Sequence, residues 1–174
     1  MMPDYPQMDP RALRDAFGVL PTGVSVVTLK DESGNPTGVT VGSFASLSLS
    51  PALCLFSLGR NQASVRLFTP ETAFVVNVLP DHMAEVAWQF AKPLKDKCAG
   101  VALSETMVDA PSLRGAIGLF ACQTEAVHEG GDHVIIVGRI LQFAHAPGDA
   151  LVFYRGGMNR PVPVTSDPVE AKSA

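Results

Sequence analysis

The segment Gly38–Pro51, GVTVGSFASLSLSP, carries residue types that could hold a flat aromatic ligand. In a strand the side chains alternate between two faces, so that a threonine, a glycine and a phenylalanine share one of them. A heterocycle could lie against that face, with backbone N–H groups exposed beside the glycine and the serines. The polar face of an ordinary half-exposed strand would look the same, so spacing alone leaves both interpretations open. The candidate residues are Thr40, Val41, Gly42, Ser43 and Phe44.

A second segment, Leu58–Phe68, has chemistry suited to an anion. The guanidinium of Arg60 could bind a phosphate, and Asn61 and Ser64 lie where a short helix is predicted to begin. The free N–H groups at a helix N-terminus, together with the helix dipole, favour negative charge. A capped helix with a solvated arginine is the alternative interpretation.

Three further residues have ambiguous roles. His133 follows a tight turn in GGDHVIIVG, where an imidazole could contact a cofactor or gate the delivery of a hydride. A histidine at a strand edge explains the same position equally well. Lys97 and Arg155 could also serve a site, but isolated charges on a protein are usually just solvated.

Several function classes lack their sequence signatures. No GxGxxG follows a predicted strand and no GxxxxGK[ST] occurs, so neither a dinucleotide-binding Rossmann site nor a P-loop is supported. GxSxG, HExxH and clustered metal-type ligands are also missing, and we expect no metal site. The net charge of −4 is spread along the chain, which argues against binding to nucleic acid or to anionic lipid.

Composition predicts one globular domain of a reducing compartment. The chain has 174 residues, 47% hydrophobic and 17% charged, which suits a single well-buried core. Cys54, Cys98 and Cys122 lie far apart without metal-ligand spacing, so we expect free thiols and a cytoplasmic location. The apolar runs are strand-sized, too short to span a membrane.

The elements that must position these residues are mostly strands. An amphipathic helix beginning at Asp9 or Pro10, with Leu13, Phe17 and Leu20 on one face, precedes the first strand. About seven strands and few, short helices follow without a βαβ rhythm, which predicts an antiparallel barrel. We expect an N-terminal segment at 1–9, one domain at 10–160 and a tail at 161–174. Strands are predicted at Val24–Leu29, Thr37–Phe44, Ala52–Leu58, Ala73–Leu79, Gly118–His128, His133–Phe143 and Ala150–Tyr154, and helices at Asn61–Phe68 and Asp81–Ala91.

Taken in order, five segments resemble the flavin reductase family with the FMN-binding split barrel, the reductase components of two-component flavin-dependent monooxygenases. The resemblance covers roughly Arg11 to Arg160. It implies a β-rich antiparallel split barrel with a few short helices, and a homodimer with each flavin near the interface. It also implies hydride transfer from NADH or NADPH to FMN or FAD, and a possible monooxygenase partner. The segments are ALRDAFGVLPTGVSVVT, GVTVGSFASLSLSPALCLFSL, AFVVNVL, GDHVIIVGRI and LVFYRGG.

The same resemblance assigns roles to individual residues. It implies that the segment 40–44 backs the flavin ring and that His133 lies on the nicotinamide side. The flavin phosphate would be held after the third strand, and a later segment would supply a wall and a further charge. A closing YRG-type segment completes the site. These last three groups are Arg60, Asn61 and Ser64, then Phe90, Ala91 and Lys97, and finally Tyr154 and Arg155.

Two departures from the family pattern bear on the site. The family usually has two consecutive serines where this chain has Gly42–Ser43, and often an aromatic residue where this chain has Cys98. Three alternatives to a flavin reductase remain at this point. They are a flavoprotein of the same fold acting on a corrin or quinone, a non-catalytic flavin or haem carrier, and a purely structural dimeric barrel.

Overall fold

The computed structural model describes residues 7–162, in which antiparallel strands hold more residues than helices do. Residues 1–6 of the predicted N-terminal segment and 163–174 of the predicted tail lie outside the described part. The two α-helices are α1 (Pro10–Phe17) and α2 (Ala84–Ala91). The strands are β1 (Thr22–Gly23), β2 (Ser25–Lys30), β3 (Pro36–Val41), β4 (Ala45–Leu49), β5 (Ala52–Gly59), β6 (Ala73–Val78), β7 (Leu103–Ser104), β8 (Ser112–Leu113), β9 (Gly118–Gly130), β10 (His133–His145), β11 (Val152–Tyr154) and β12 (Gly157–Asn159).

Seven strands form one curved sheet in the order β3-β2-β6-β9-β10-β5-β4. Each neighbouring pair in it is antiparallel. The two ends of this order meet just after β3. There the Ser43 hydroxyl accepts a hydrogen bond from the Ser57 N–H (2.9 Å) and donates one to the Ser57 carbonyl (3.2 Å). The sheet therefore curls into the predicted split barrel, and Ser43 fastens its seam.

Two apolar layers lie on opposite faces of β2 because its side chains alternate. Inside the barrel, Phe56, Phe68 and Phe74 meet edge to face with ring centroids 5.4 to 5.7 Å apart, a favoured aromatic geometry. On the other face, Val26 and the fully buried Phe90 of α2 belong to a second cluster. Burial of these large side chains supplies most of the driving force for folding.

A buried asparagine ties the barrel to a loop that crosses it. The Asn77 amide group donates to the Val26 carbonyl (3.0 Å) and to the Thr28 hydroxyl (2.9 Å). Its carbonyl oxygen accepts from the Leu113 N–H at 2.8 Å, and the side chain is fully buried. A buried amide is tolerated only when its donors and acceptors are paired, so this network fixes β8 against β2 and β6.

The α-helices of residues 7–162 are fewer than the strands, and each has eight residues. No helix within residues 7–162 is long and apolar enough to cross a membrane. Helix α1 begins at an Asp9 cap, whose carboxylate accepts from the Arg11 N–H at 2.9 Å. None of its residues is buried within the chain, and its two large apolar side chains, Leu13 and Phe17, are exposed. The helix ends at Phe17, so the prediction that Leu20 lies on the same helix is wrong.

The fold class, the central hairpins and the succession of the seven predicted strands along the chain are confirmed, whereas several local predictions are wrong. Residues Ala63–Leu67 form a single 3₁₀ segment that follows Gln62, so Asn61 is not its cap and the predicted two-turn helix is absent there. Asp81 is the first residue of a 3₁₀ turn, Asp81–Met83, and α2 begins only at Ala84, so Asp81 caps neither of them. Strand β3 ends at Val41, before the predicted Phe44. The sequence analysis also missed β4, whose side chains are mostly exposed.

Candidate functional site

A cleft of about 720 Å³ lies between β3, the 3₁₀ segment after β5 and the loop after α2. Strand β3 contributes the run from Thr37 to Thr40 as one wall, and Asn61 and Ser64 lie opposite. The loop 91–97 forms the third side. The cleft is open along one side, so a ligand could enter without a large rearrangement. Of the predicted site residues it collects Thr40, Asn61, Ser64, Ala91 and Lys97.

Positive charge dominates the walls of this cleft. Four cationic side chains and the carboxylate of Asp31 line it, and one of the four cations, Arg66, also lies 3.5 Å from a carboxylate oxygen of Glu32. The Asp31 carboxylate is itself engaged by the turn that follows β2, and the backbone N–H of Asn35 lowers its pKa. An anion as small as a phosphate therefore finds several cations within one cavity. The four cationic residues are Arg66, Lys92, Lys95 and Lys97.

Loop 92–99 is held in place by two side chains. The Gln89 amide donates to the carbonyls of Lys97 and Ala99, both at 2.9 Å. The Lys97 ammonium donates at 2.8 Å to the Phe90 carbonyl near the end of α2. Partial burial lowers the pKa of Lys97 because it disfavours the charged form. Lys97 thus stabilises the loop as well as lining the cleft.

The backs of β3 and α2 are in very close contact. A Cβ on Gly38 would stand 2.7 Å from the Val27 carbonyl oxygen and 2.9 Å from the Phe90 ring. The Thr40 hydroxyl donates to the Ala87 carbonyl at 2.6 Å, which pins α2 to the strand from the same side. Phe90 is fully buried in this contact. Phe90 was predicted to form a wall of the cleft, but it packs behind β3 and supports the strand. Ala91 lines the cleft.

Arg60 points away from the cleft. Its Nε donates to the Gly131 carbonyl at 2.6 Å, and its guanidinium pairs with Glu129. These contacts commit the side chain to the turn between β9 and β10. Arg66, Lys92 and Lys95 line the cleft instead, and the sequence analysis did not select them. The run KPLKDK at 92–97 was the available signal, because its lysines recur within six residues.

His133 lies beside the same turn, opposite Gly59 in the β5–β10 register. Its Nδ1 is 2.7 Å from an Asp132 carboxylate oxygen, and this hydrogen bond lowers the pKa of Asp132. A Cβ on Gly59 would stand 3.1 Å from Asn61 Oδ1 and 3.8 Å from His133 Nε2. The glycine therefore leaves room for both side chains, and Nε2 is the imidazole nitrogen left for a ligand.

A second, more open cleft of about 630 Å³ contains Tyr154. The Arg155 guanidinium carbon stands 5.3 Å from the centre of the Tyr154 ring, in cation–π contact. Arg155 has a φ of 48°, unusual for a residue with a side chain, and its N–H donates to the Gly18 carbonyl. Thr22 also lines this cleft. The predicted closing segment is thus present, but it lines a different cavity from the lysines.

The segment 40–44 does not present one continuous face. Val41 is buried in the barrel core, and Ser43 is committed to the seam through Ser57. Phe44 turns inward and packs against Phe120 with ring centroids 5.3 Å apart. The chain bends at Gly42, which breaks the alternation on which the predicted face depended. Only Thr40 and Gly42 of the five lie on the outer side of the barrel core.

All three cysteines are free thiols. Cys54 and Cys122 are fully buried with their sulfur atoms 3.7 Å apart, and the neighbouring thiol together with burial raises the pKa of Cys122. Cys98, which stands where the family often has an aromatic residue, packs against the apolar cluster that contains Phe90. Burial raises its pKa. Within residues 7–162 no three His, Cys, Asp or Glu side chains converge as a metal site.

The structure is thus an antiparallel split barrel with a cationic cleft along one strand, a cleft that suits an anionic group such as a phosphate. Similarity to known proteins identifies the family of this barrel. The profile of the family described as flavin reductase like domain matches residues 17–161. The chain belongs to that family.

Two curated relatives show how far the likeness extends. A probable flavin reductase of Rhizobium meliloti (strain 1021) is 39% identical over 153 residues, which are 88% of this chain and 49% of that protein. The reductase component of the flavin-dependent trigonelline monooxygenase of Acinetobacter baylyi is 35% identical over 161 residues, 92% of this chain and 52% of that protein. This chain therefore spans about half the length of these relatives.

A solved structure matches over its whole length. It is the NADH:FAD oxidoreductase of Streptomyces globisporus C-1027, in complex with NAD and FAD fragments. It superposes with a TM-score of 0.83 at 32% identity, and the match covers 93% of this chain and 100% of that one. The barrel described above is thus the family fold.

The contact at Gly38 generates a testable prediction. We expect Gly38→Ala to lower the free energy of unfolding by about 1–3 kcal/mol, because the added methyl group overpacks against backbone and a buried ring. Chemical denaturation measures this. Gly23→Ala is the matched control, since nothing lies within 4 Å of a Cβ there. Equal stability of the two variants would contradict the packing argument.

Proposed function

We propose that this chain is a flavin reductase that transfers a hydride from NADH or NADPH to FMN or FAD. The observation that carries the proposal is the cationic cleft along β3 in a chain of the flavin reductase family. A flavin phosphate needs cations and N–H donors, and this cleft concentrates four cations around one opening. A purely structural barrel has no use for such a concentration of like charge.

The cleft residues fit the phosphate end of a flavin. Lys92, Lys95 and Arg66 would hold the phosphate, with the Ser64 hydroxyl and the Asn61 amide as hydrogen-bonding groups. Because a 3₁₀ segment of five residues has little dipole, side-chain charge does most of this work. Lys97 adds its charge from the fixed loop and keeps that loop against α2.

The chemistry of hydride acceptance belongs to the flavin when it is bound, so the chain needs no nucleophile or metal of its own. The residues of the chain bind the cofactor, orient it and leave one side open. Asp132 holds His133 through Nδ1 and thereby fixes the direction of Nε2. We assign His133 to the nicotinamide side, where Nε2 would position the hydride donor.

A second copy of the chain is the proposed partner for α1. The side chains of Leu13 and Phe17 lie at i, i+4 spacing on α1 and are 41% and 67% exposed, and Leu20, just beyond the helix, is 62% exposed. An eight-residue helix is marginal in water unless its apolar face is covered, so α1 requires a packing surface. A homodimer, as in the family resemblance, supplies one. A monooxygenase that consumes reduced flavin is the proposed downstream partner.

The proposed activity predicts anaerobic loss of visible flavin absorbance when the purified chain, flavin and a nicotinamide are mixed. Each of FMN and FAD is tested with each of NADH and NADPH. At least one combination should turn over many equivalents of flavin. Binding of flavin without reduction by either nicotinamide would favour a carrier, and a protein that binds no flavin would contradict the proposal.

For the phosphate site, Ser64→Asp should weaken FMN binding by about tenfold or more, because a carboxylate would face the phosphate within the cleft. Fluorescence titration measures the dissociation constant. Gln142→Glu adds the same charge on the exposed part of β10, outside the cleft, and should leave FMN affinity near wild type. Equal affinities of the two variants would remove Ser64 from the site.

For the histidine, His133→Ala should raise KM for the nicotinamide and slow hydride transfer, with little change in flavin affinity. His128→Ala is the control, because His128 is an exposed histidine on the other strand of the same hairpin. Steady-state kinetics with both substrates, supported by single-turnover measurements, checks this. Kinetics indistinguishable from those of the control would refute the assignment.

For the dimer, Phe17→Glu should shift the chain toward monomer in light scattering, since a charge would be buried in the interface. Asp15→Lys, on the opposite side of α1, changes charge without touching the apolar face and should remain dimeric. A monomeric wild-type chain at working concentration would contradict the proposal directly.

A further inference from the structure

Gly42 has a neighbour that occupies the space of its missing side chain. A Cβ built on Gly42 would stand 2.9 Å from Thr22 Oγ1 and 3.7 Å from Thr22 Cβ. Apart from the adjacent residues 41 and 43, no other described residue has an atom within 4 Å of that position. A serine at position 42 would therefore place its Cβ against the hydroxyl of Thr22. The two positions are twenty residues apart in the chain and belong to different strands or bends.

The other hydroxyls of this region are committed to the protein. Thr40 donates its proton to the Ala87 carbonyl at 2.6 Å. Ser43 both donates to and accepts from the backbone of Ser57. Thr22 differs, because its hydroxyl makes no hydrogen bond to another residue within the described range, although its side chain is half-buried. A half-buried hydroxyl keeps an unused donor and acceptor for a ligand.

Thr22 also connects the two clefts. Strand β3 lines the cationic cleft as far as Thr40, and the bend at Gly42 follows directly. Gly42 touches Thr22, which lines the second cleft together with Tyr154. A continuous row of residues thus leads from the phosphate-binding cations to the predicted closing segment. A flavin is elongated, with its phosphate at one end and its ring at the other.

We propose that Thr22 Oγ1 supplies, from strand β1, the side-chain hydroxyl that Gly42 lacks, and that it hydrogen-bonds the ring portion of a bound flavin. The inference rests on the proposed function, because it presumes that the ring lies where β3 ends. It also explains in physical terms why position 42 holds a glycine. Here a side chain from a neighbouring strand occupies the position, so residue 42 must be small.

The test separates the ring from the phosphate by using riboflavin beside FMN. Thr22→Val keeps the shape of the side chain and removes the hydroxyl. It should raise the dissociation constants of riboflavin and FMN by the same factor, about three- to tenfold for one hydrogen bond. Thr22→Ser keeps the hydroxyl and should bind both close to wild type. Lys95→Ala, in the cationic cleft, should weaken FMN and spare riboflavin.

A rescue experiment tests the exchange of positions. Thr22→Ala should weaken both flavins, and the double variant Thr22→Ala with Gly42→Ser should recover much of the lost affinity. Gly42→Ser alone should be worse than the double variant, because its Cβ meets Thr22. Only variants that are folded and have similar melting temperatures are compared with one another. It therefore retains its meaning even if Thr22→Val proves less stable.

The outcomes distinguish this inference from the proposed function. Wild-type affinity of Thr22→Val for both flavins overturns the role of Thr22, while flavin reduction by the wild-type chain still stands. A loss confined to FMN also overturns it, because it would place Thr22 at the phosphate. Absence of rescue in the double variant overturns the exchange. If the wild-type chain binds neither flavin, the proposed function itself has failed.

Discussion

The close approach of β3 to its two neighbours at Gly38 is the constraint on which the site depends. No side chain fits between the Val27 carbonyl and the Phe90 ring, so the strand and α2 sit at one fixed distance. The Thr40 hydroxyl bonds the same helix one turn away. Because Gln89 and Lys97 fasten loop 92–99 to the end of α2, that distance also sets where the lysines stand. The cationic cleft is thus built by packing behind it rather than by contacts within it.

The sequence was sufficient to predict the barrel, because hydrophobic alternation and turn residues are local signals. The long hairpin of β9 and β10 and the pair β2–β3 follow from such signals. Strand β4 was missed since its side chains are mostly exposed and its pairing with β5 comes from the chain reversal alone. The 3₁₀ segment was predicted too long because Val65, Leu67 and Phe68 are apolar, and all three do pack on the barrel core, but they do so from a 3₁₀ segment of five residues and the residue after it.

The site was predictable in part. Thr40, Asn61, Ser64, Ala91 and Lys97 line one cleft, while Arg60, Phe90 and Tyr154 lie outside it, and the roles that the resemblance implied for them stay predictions. Which way a long side chain turns depends on partners far away in the sequence, such as the Gly131 carbonyl that holds Arg60. The contact between Thr22 and Gly42 has the same origin, since it joins two segments whose pairing no local pattern encodes. The residue types that suit a phosphate could be recognised in the sequence, but the directions of their side chains could not.

The reactivity of the three free thiols can report on motions of the barrel. Cys54 and Cys122 are closed off in the core, so an alkylating reagent reaches them only when the strands separate, and their labelling rate follows global opening. Cys98 is only partly buried in the loop that Gln89 and Lys97 fasten, so its labelling does not require unfolding of the barrel and reports on that loop. Labelling rates followed by mass spectrometry with one reagent would therefore distinguish local motion of the loop beside the cleft from unfolding of the whole chain.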